Sequence, residues 1–331
     1  MGALAVSCGG AESGPPATGS PVASPPSFEQ SPIVFGSYEP PGTFLLTLAD
    51  PEPRQINGNY DYSALLLSPS RQRLLQVTPN EDGSLPRGLV QIFEIAPEGA
   101  RLGSFPTPEG EFLGFADEET LLLMSSEGLQ RLDLNGTVRG SFALPAWVSR
   151  ENGAFYRSAL SPDGTKLALL PSRETELGFE LVLLVLDSKT GAELSQWPLD
   201  GRGPPAWAGD GHLVVATYGQ GLYTFALGAG SGAGPFQLPF QPCEARGWVA
   251  PDQVLVGEVV SHGDYSTCQP AWLVSRDGAR AERLAGPTPL AFSPDGERIL
   301  SIDQGALVVS KPDGSGLEML SDVLEPHNPA W

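Results

Sequence analysis

Two copies of the tetrapeptide Ser-Pro-Asp-Gly, each followed by a short apolar run, constrain the fold of this chain more than any other feature. They occupy residues 161–164 and 293–296. Pro presets φ at the second position of a type I turn, Asp tolerates the third, and Gly adopts the positive φ that follows. Such a turn joins two antiparallel strands, so its recurrence predicts a repeat architecture.

Weaker copies of this turn recur along the chain, at Ser68–Arg71, Phe115–Glu118, Ala208–Gly211 and Ala250–Gln253. The six turns are spaced about 42 to 48 residues apart, which is typical of a β-propeller blade. A second set falls between them, at Pro97–Gly99, Asn135–Gly136, Lys189–Gly191, Gly230–Gly232, Arg276–Gly278 and Pro312–Gly314. Each period therefore contains two hairpins, or four strands.

The spacing also predicts the number of blades. Residues 31–331 divided among seven blades give roughly 43 residues each, inside the observed spacing, whereas six blades would need about 50. The chain ends at His327–Trp331, a segment that resembles the start of a blade. We predict an all-β propeller of seven four-stranded blades, with six blades as the alternative. The C-terminal segment would pair in the first blade and close the ring, which removes open sheet edges. A β-sandwich is the competing fold, but it does not explain the alternating turns.

These residues resemble the TolB-like and WD-repeat-like propellers of bacterial envelopes, whose blades commonly carry Pro-x-Trp-Ser-Pro-Asp-Gly. Pro205–Trp207 and Pro329–Trp331 match the first half of this pattern, and the two full turns match the second half. The resemblance implies a propeller over about residues 31–331. Propellers serve unrelated functions, so the resemblance alone assigns none.

The N-terminus resembles a bacterial lipoprotein signal. Ala5–Cys8 is similar to a lipobox, in which the cysteine is lipidated, although a leucine is usual at the position of Ala5. The basic segment and apolar core of a signal are missing before it. The alternatives are a start site further upstream or an ordinary flexible N-terminus. We interpret 1–8 as the remnant of a signal, 9–31 as a disordered Gly/Ser/Pro-rich tether and 32–331 as the propeller. A lipid on Cys8 would anchor the protein, extracytoplasmically, to the bacterial cell envelope.

Cys243 and Cys268 are the other two cysteines. Propeller topology puts Cys243 in the connection that enters the blade containing Trp248, and Cys268 in the loop between the second and third strands of that blade. Both would lie on one face, so we predict a disulfide, with two free buried thiols as the alternative. The bond would contribute about 3 kcal/mol and would indicate an oxidising compartment.

The charge excludes one class of partner. The chain has a net charge of −20, so it lacks the basic surface that nucleic-acid binding requires, and membrane attachment would depend on the lipid.

Three histidines without zinc-site spacing predict no local metal motif. A looser calcium site stays open. Gly228–Ala233 imitates a dinucleotide fingerprint, but Gly234 and Pro235 follow where a helix is required. We therefore expect no cofactor, no metal and no catalytic residues.

Three long loops are the candidate ligand-binding segments, because recognition often resides on long loops of a rigid scaffold. They are 78–88, 171–180 and 260–270, and all would lie on one face of the ring. Their candidate residues are Asn80, Glu81, Asp82, Arg87, Arg173, Glu174, Glu176, His262, Asp264 and Tyr265. The alternative is that the fold tolerates loops of this length and that these loops bind no ligand. Five tryptophans would stack on sugars only if exposed, and packing in the core or between blades is favoured: Trp147, Trp207, Trp248, Trp272 and Trp331.

These features favour a non-catalytic extracytoplasmic binding or scaffold lipoprotein. It would be a monomer that recognises a protein, peptide or glycan of the envelope. The alternative is a propeller enzyme of the glycosidase or lyase type, whose paired carboxylates converge on the central channel. A sensor or assembly component that organises its neighbours is a third hypothesis.

Overall fold

The computed structural model describes residues 28–38, 40–58, 64–78, 88–95, 100–125, 127–148, 158–175, 178–207, 211–229, 231–250, 252–262, 266–287, 289–293, 295–321 and 326–330. Within these ranges the chain is all-β apart from one 3₁₀ turn at Phe28–Gln30. No helix in the described segments has the length and hydropathy needed to span a bilayer.

The chain up to residue 199 contains the strands β1 (Ile33–Tyr38), β2 (Pro41–Leu46), β3 (Arg54–Asn57), β4 (Ala64–Leu67), β5 (Arg73–Thr78), β6 (Leu89–Glu94), β7 (Arg101–Pro106), β8 (Glu111–Asp117), β9 (Thr120–Ser125), β10 (Gly128–Asp133), β11 (Val138–Phe142), β12 (Ser158–Leu160), β13 (Lys166–Leu169), β14 (Ser172–Thr175), β15 (Gly178–Asp187) and β16 (Glu193–Leu199). The rest of the chain contains β17 (Pro205–Trp207), β18 (His212–Thr217), β19 (Gly221–Ala226), β20 (Ala233–Phe236), β21 (Pro242–Ala250), β22 (Gln253–Ser261), β23 (Ser266–Ser275), β24 (Ala281–Arg283), β25 (Pro289–Phe292), β26 (Ile299–Asp303), β27 (Ala306–Ser310), β28 (Glu318–Ser321) and β29 (Pro326–Ala330).

The strands form seven antiparallel sheets, one for each blade. Blade one has the order β29-β1-β2-β3, so the C-terminal strand occupies its innermost position. Val34 pairs with Ala330, and Ser37 pairs with Pro326. The predicted all-β fold, the seven blades and the closure of the ring are confirmed.

Blade four departs from the simple pattern, because β13 and β14 both pair with β15. Leu169 pairs with Leu184 and Ser172 with Leu181, so both strands share one register. They are therefore one strand, interrupted at Pro171, which has no backbone N–H to donate to the ladder. Its carbonyl still accepts a hydrogen bond from the Val182 N–H at 3.0 Å. The blade thus keeps four strand positions.

The core of the molecule lies between the blades. Buried apolar side chains form seven clusters among the described residues, and six of them join two neighbouring blades through buried residues on both sides. The seventh, Leu255 and Leu273 of blade six, reaches blade seven through the half-buried Phe292. Blades one and seven, for example, meet through Phe35 and Phe44 on one side and Leu300 and Leu307 on the other. Burial of these faces, at about 25 cal/mol per Å² of apolar surface, drives the blades together around the ring.

The strand order gives the ring two distinct faces. We call the face with the turns after first and third strands the turn face, and the opposite face, with the remaining hairpins and the connections between blades, the loop face. The described chain begins on the turn face, where the Ala49 N–H donates to the Glu29 carbonyl at 2.9 Å. β29 also runs toward the turn face and ends there, so both ends of the described chain lie on it.

Candidate binding face

Two hairpins on the loop face are built from unusually long strands. In blade four β15 has 10 residues, and in blade six β22 and β23 have 9 and 10. The predicted loops 171–180 and 260–270 are therefore largely strand. Arg173 and Glu174 lie within β14, and His262 follows the last residue of β22. The other candidate loop residues lie outside the described residues, as does Cys8: Asn80, Glu81, Asp82, Arg87, Glu176, Asp264 and Tyr265.

Arg173 is held by its own hairpin. Its Nη2 lies 2.6 Å from Glu180 Oε2 on the facing strand, and its guanidinium lies 5.5 Å from the centre of the Trp147 ring. Both charged side chains are about one third exposed, so this ion pair stabilises by no more than about 1 kcal/mol. Phe179 is 69% exposed at the tip of the same hairpin.

His262 is held across the blade-six hairpin, with its Nε2 3.0 Å from Thr267 Oγ1. No group of three or more His, Cys, Asp or Glu in the described segments is arranged to hold a metal ion.

Cys243 and Cys268 form a disulfide, which confirms the predicted pairing. Their positions differ from the prediction, because Cys243 lies within β21 and Cys268 within β23 rather than in loops. Strands two apart in a flat sheet are about 10 Å apart, yet the two Cα atoms are separated by 5.9 Å. Register shifts after Pro242 and after Val256 bend the blade at this point.

Gly257 on β22 lies directly beneath the disulfide. A Cβ at this position would be 2.7 Å from Cys268 Sγ and 3.0 Å from Cys243 Sγ. Only glycine leaves room for the bond to cross the middle strand. The bond therefore ties the first and third strands of blade six together over the second.

A cleft of ≈ 430 Å³ opens on the loop face between blades five and six. Its walls are the turn Gly219–Gly221 of blade five and the connection Gln237–Pro242 into blade six. We call it the blade 5–6 cleft. Its described lining contains the three carboxamides of Gln220, Gln237 and Gln241 and no charged side chain.

Hydrogen bonds orient two of these carboxamides. The Tyr223 hydroxyl donates to Gln220 Oε1 at 3.2 Å, and Gln237 Nε2 donates to the Gln220 carbonyl at 3.0 Å. Burial, and then the charge of Asp200, raise the pKa of Tyr223, which keeps its phenol protonated as a donor. The carboxamide of Gln241 makes no hydrogen bond within the described chain, but its backbone carbonyl accepts from the Val259 N–H at 2.9 Å.

An aromatic pair connects the cleft to the disulfide-linked blade. Phe240 lines the cleft and stacks on Trp272, with ring centres 4.4 Å apart and planes inclined by 9°. Trp272 Nε1 donates to Glu258 Oε2 at 3.0 Å, and Arg283 Nη2 lies 3.5 Å from the same oxygen. The sequence indicated Trp272 as a packing residue, but Gln237–Pro242 carries no motif and was missed.

A second cavity, of ≈ 360 Å³, lies on the turn face between the same two blades. Its polar groups are engaged within the protein. Arg276 Nη1 lies 3.4 Å from the ring nitrogens of His212, and the Ser275 hydroxyl donates to Asp277 at 2.6 Å. The blade 5–6 cleft is therefore the stronger candidate for a binding site.

These features define a seven-bladed β-propeller, and solved structures of the same fold support it. The chain is similar to TolB from Acinetobacter baumannii (13% identity, 92% of this chain, 67% of that chain, TM-score 0.50). It is also similar to the dihydro-heme d1 dehydrogenase NirN (15%, 93%, 77%, 0.51) and to apo AztD from Citrobacter koseri (11%, 90%, 96%, 0.50). No protein-family model matches the sequence, and no curated protein matches it. At such identities the similarity shows a TolB-like fold and leaves function to the site itself.

Proposed function

We propose that this protein is a non-catalytic, extracytoplasmic binding lipoprotein, which uses the loop face of its propeller to hold a protein, peptide or glycan of the cell envelope. The observation that carries the proposal is the blade 5–6 cleft, in which exposed, oriented carboxamides lie beside a stacked aromatic pair. A concave site with a few placed polar groups on an apolar lining is the usual form of a ligand site.

The disulfide supports the proposal in two ways. It braces the blade that forms one wall of the cleft, and a stiffened wall loses less conformational entropy when a ligand binds. It also indicates an oxidising compartment, because disulfides persist outside the cytoplasm and are rare within it.

The position of the chain ends supports the same function. The described chain starts at Phe28 on the turn face, and the part of the predicted tether that precedes it, residues 9–27, leads from that point back to Cys8. A lipid on Cys8 would therefore place the turn face toward the membrane. The loop face, with its cleft, would then point away from the membrane toward a partner.

Membrane fractionation tests the anchor. The protein should partition with membranes, and Cys8→Ser should release it into the soluble fraction. Ser13→Ala is the control, since it changes the predicted tether without touching Cys8 or the disulfide. A Cys8→Ser protein that still partitions with membranes would contradict the anchor.

Sedimentation with isolated cell envelopes tests the binding face. We expect Gln241→Trp, which fills the cleft from an exposed position, to weaken co-sedimentation by at least about tenfold, or 1.4 kcal/mol. Glu297→Trp on the turn face is the control and should bind as the wild type does. Equal binding by all three proteins would remove the cleft from the proposal.

The enzyme alternative has one observation in its favour. Glu111 begins β8, the innermost strand of blade three, on the loop face. Partial desolvation raises the pKa of this carboxyl, although Glu111 is exposed at the surface. A glycosidase needs a second carboxylate opposite such an acid. If the wild type cleaves polysaccharides and Glu111→Gln abolishes that cleavage, the enzyme alternative is established. If the wild type leaves the polysaccharides uncleaved, the result supports the binding role.

A further inference from the structure

We propose that the blade 5–6 cleft binds an uncharged glycan, contacting sugar hydroxyls through its carboxamides and a sugar ring through its apolar lining. This inference rests on the binding function proposed above and names the class of ligand.

The hydrogen-bonding groups of the cleft match those of a sugar. Gln220 uses its Oε1 to accept from Tyr223, which leaves its amino group as a donor. Gln237 uses its amino group toward the Gln220 carbonyl, which leaves its Oε1 as an acceptor. Gln241, exposed on the same rim, offers both groups. A hydroxyl both donates and accepts, so neighbouring hydroxyls of one sugar can satisfy this alternating set.

The electrostatics favour an uncharged ligand. The described lining of the cleft contains Gly, Gln, Leu, Pro and Phe, so it offers no partner for a charged group. The chain as a whole carries −20, which repels polyanions. A carboxylated or phosphorylated polymer would thus lose its solvation without gaining a counter-charge.

The apolar part of the lining suits the carbon face of a sugar ring. Leu238, Pro239 and Phe240 follow one another along the connection. Phe240 is held in place by Trp272 beneath it, so its ring is fixed before a ligand arrives. The volume of ≈ 430 Å³ lies within the range of about 300–1,000 Å³ that is usual for small-molecule sites.

The backbone around the cleft argues against an extended peptide. A peptide that adds to a sheet needs a strand edge with free N–H and C=O groups. The walls here are the turn at Gly219 and Gln220, Gly221 at the start of β19, and a connection that becomes strand only at Pro242. Strand β19 is paired on both sides. Recognition must therefore come from side chains, which favours a ligand with many hydroxyls.

The test measures binding of the full-length protein to defined probes by calorimetry. The probes are neutral hexasaccharides of glucose, mannose and N-acetylglucosamine, polygalacturonic acid as the charged glycan, and a proline-rich peptide with the sequence of residues 9–27. We expect at least one neutral oligosaccharide to bind, and polygalacturonic acid and the peptide not to bind. Gln237→Ala and Gln241→Ala should each weaken binding about threefold to tenfold, the loss of one hydrogen bond. Gln72→Ala, an exposed glutamine on the turn face, should leave it unchanged.

The outcome separates this inference from the function on which it rests. If no neutral oligosaccharide binds, or if the peptide or the acidic polymer binds instead, the glycan inference is wrong. It is also wrong if Gln237→Ala and Gln241→Ala bind as tightly as the wild type while their thermal midpoints are unchanged. Envelope binding that Gln241→Trp abolishes, but that survives glycosidase treatment of the envelopes, would retain the proposed function and reject the glycan.

Discussion

The Ser-Pro-Asp-Gly turn is held together by its serine hydroxyl. Ser161 Oγ donates to Asp163 Oδ1 at 2.6 Å and accepts from the Lys166 N–H at 2.9 Å, while Gly164 takes φ = 70°. Ser275 makes the same two bonds, to Asp277 and from Arg280, although an arginine replaces the proline. The serine, aspartate and glycine therefore define this turn, and the proline is replaceable.

Ser161→Ala should destabilise the protein by about 1–2 kcal/mol, because Ser161 is buried and its loss leaves the Lys166 N–H without an acceptor. Urea unfolding at neutral pH measures the change. Ser104→Ala, at an exposed position on β7, is the control and should stay within about 0.5 kcal/mol of the wild type. An equal effect of both substitutions would contradict the role of the hydroxyl.

Asp277 should make part of the stability depend on pH. Hydrogen bonds from the Ser275 hydroxyl and the Ala279 N–H hold the pKa of Asp277 below its ordinary value. The unfolded chain then takes up a proton before the folded chain does as the pH falls. The stabilisation is complete above the ordinary aspartate pKa of about 3.9 and is lost as the pH falls below it toward the folded value. The difference in unfolding free energy between the wild type and Asp277→Asn should be largest at neutral pH and shrink below about pH 4. A difference that stays constant in urea titrations across this range would contradict the assignment.

At the scale of the element, blade six shows what the sequence can and cannot predict. The turn spacing placed Cys243 and Cys268 on one face of one blade, and this was enough to predict their bond. It could not predict that both lie in strands, because the bond depends on the register shifts that bend β21 and β22. The sequence could not indicate the role of Gly257 either, since a single glycine within a strand belongs to no repeating pattern. The cleft was missed because Gln237–Pro242 is a connection without a motif.

Gly257→Ala should destabilise blade six by about 1–3 kcal/mol, the usual cost of overpacking. Its Cβ would lie 2.7 Å from Cys268 Sγ, so the disulfide or the middle strand must move. Urea unfolding and titration of free thiols measure the two consequences. Gly58→Ala is the matched control, since a Cβ there meets nothing within 4 Å. If the Gly257→Ala protein is as stable and as fully oxidised as this control, a Cβ fits beneath the disulfide and the requirement for glycine is wrong.

At the scale of the whole molecule, the spacing of the repeated turns is enough to predict a closed ring of seven blades, without knowledge of the contacts between the blades. Seven apolar clusters join seven blades, and the repeated turns carry enough information to predict that arrangement. The boundary between blades one and two also contains polar groups. Asn57 Nδ2 donates to Gln76 Oε1 at 2.6 Å, and Gln76 is fully buried. No turn or period could predict this pair, because the two residues lie on different blades.

The last prediction concerns β29, the short strand that completes the ring by pairing with β1 in blade one. Without it, β1 would present an unpaired edge whose residues from Ile33 to Ser37 are fully buried in the closed ring. Deleting residues 326–331 should lower the thermal midpoint by several degrees, at about 1.5 °C for each kcal/mol lost, because the entropy of unfolding grows with chain length. It should also promote self-association through the free edge. Deleting residues 2–27, which precede the described chain, is the control and should change neither property. A synthetic peptide of residues 322–331 should restore the midpoint of the shortened protein by taking the vacant place beside β1. If the shortened protein melts as the full chain does and stays monomeric, the ring is held by the contacts between blades alone.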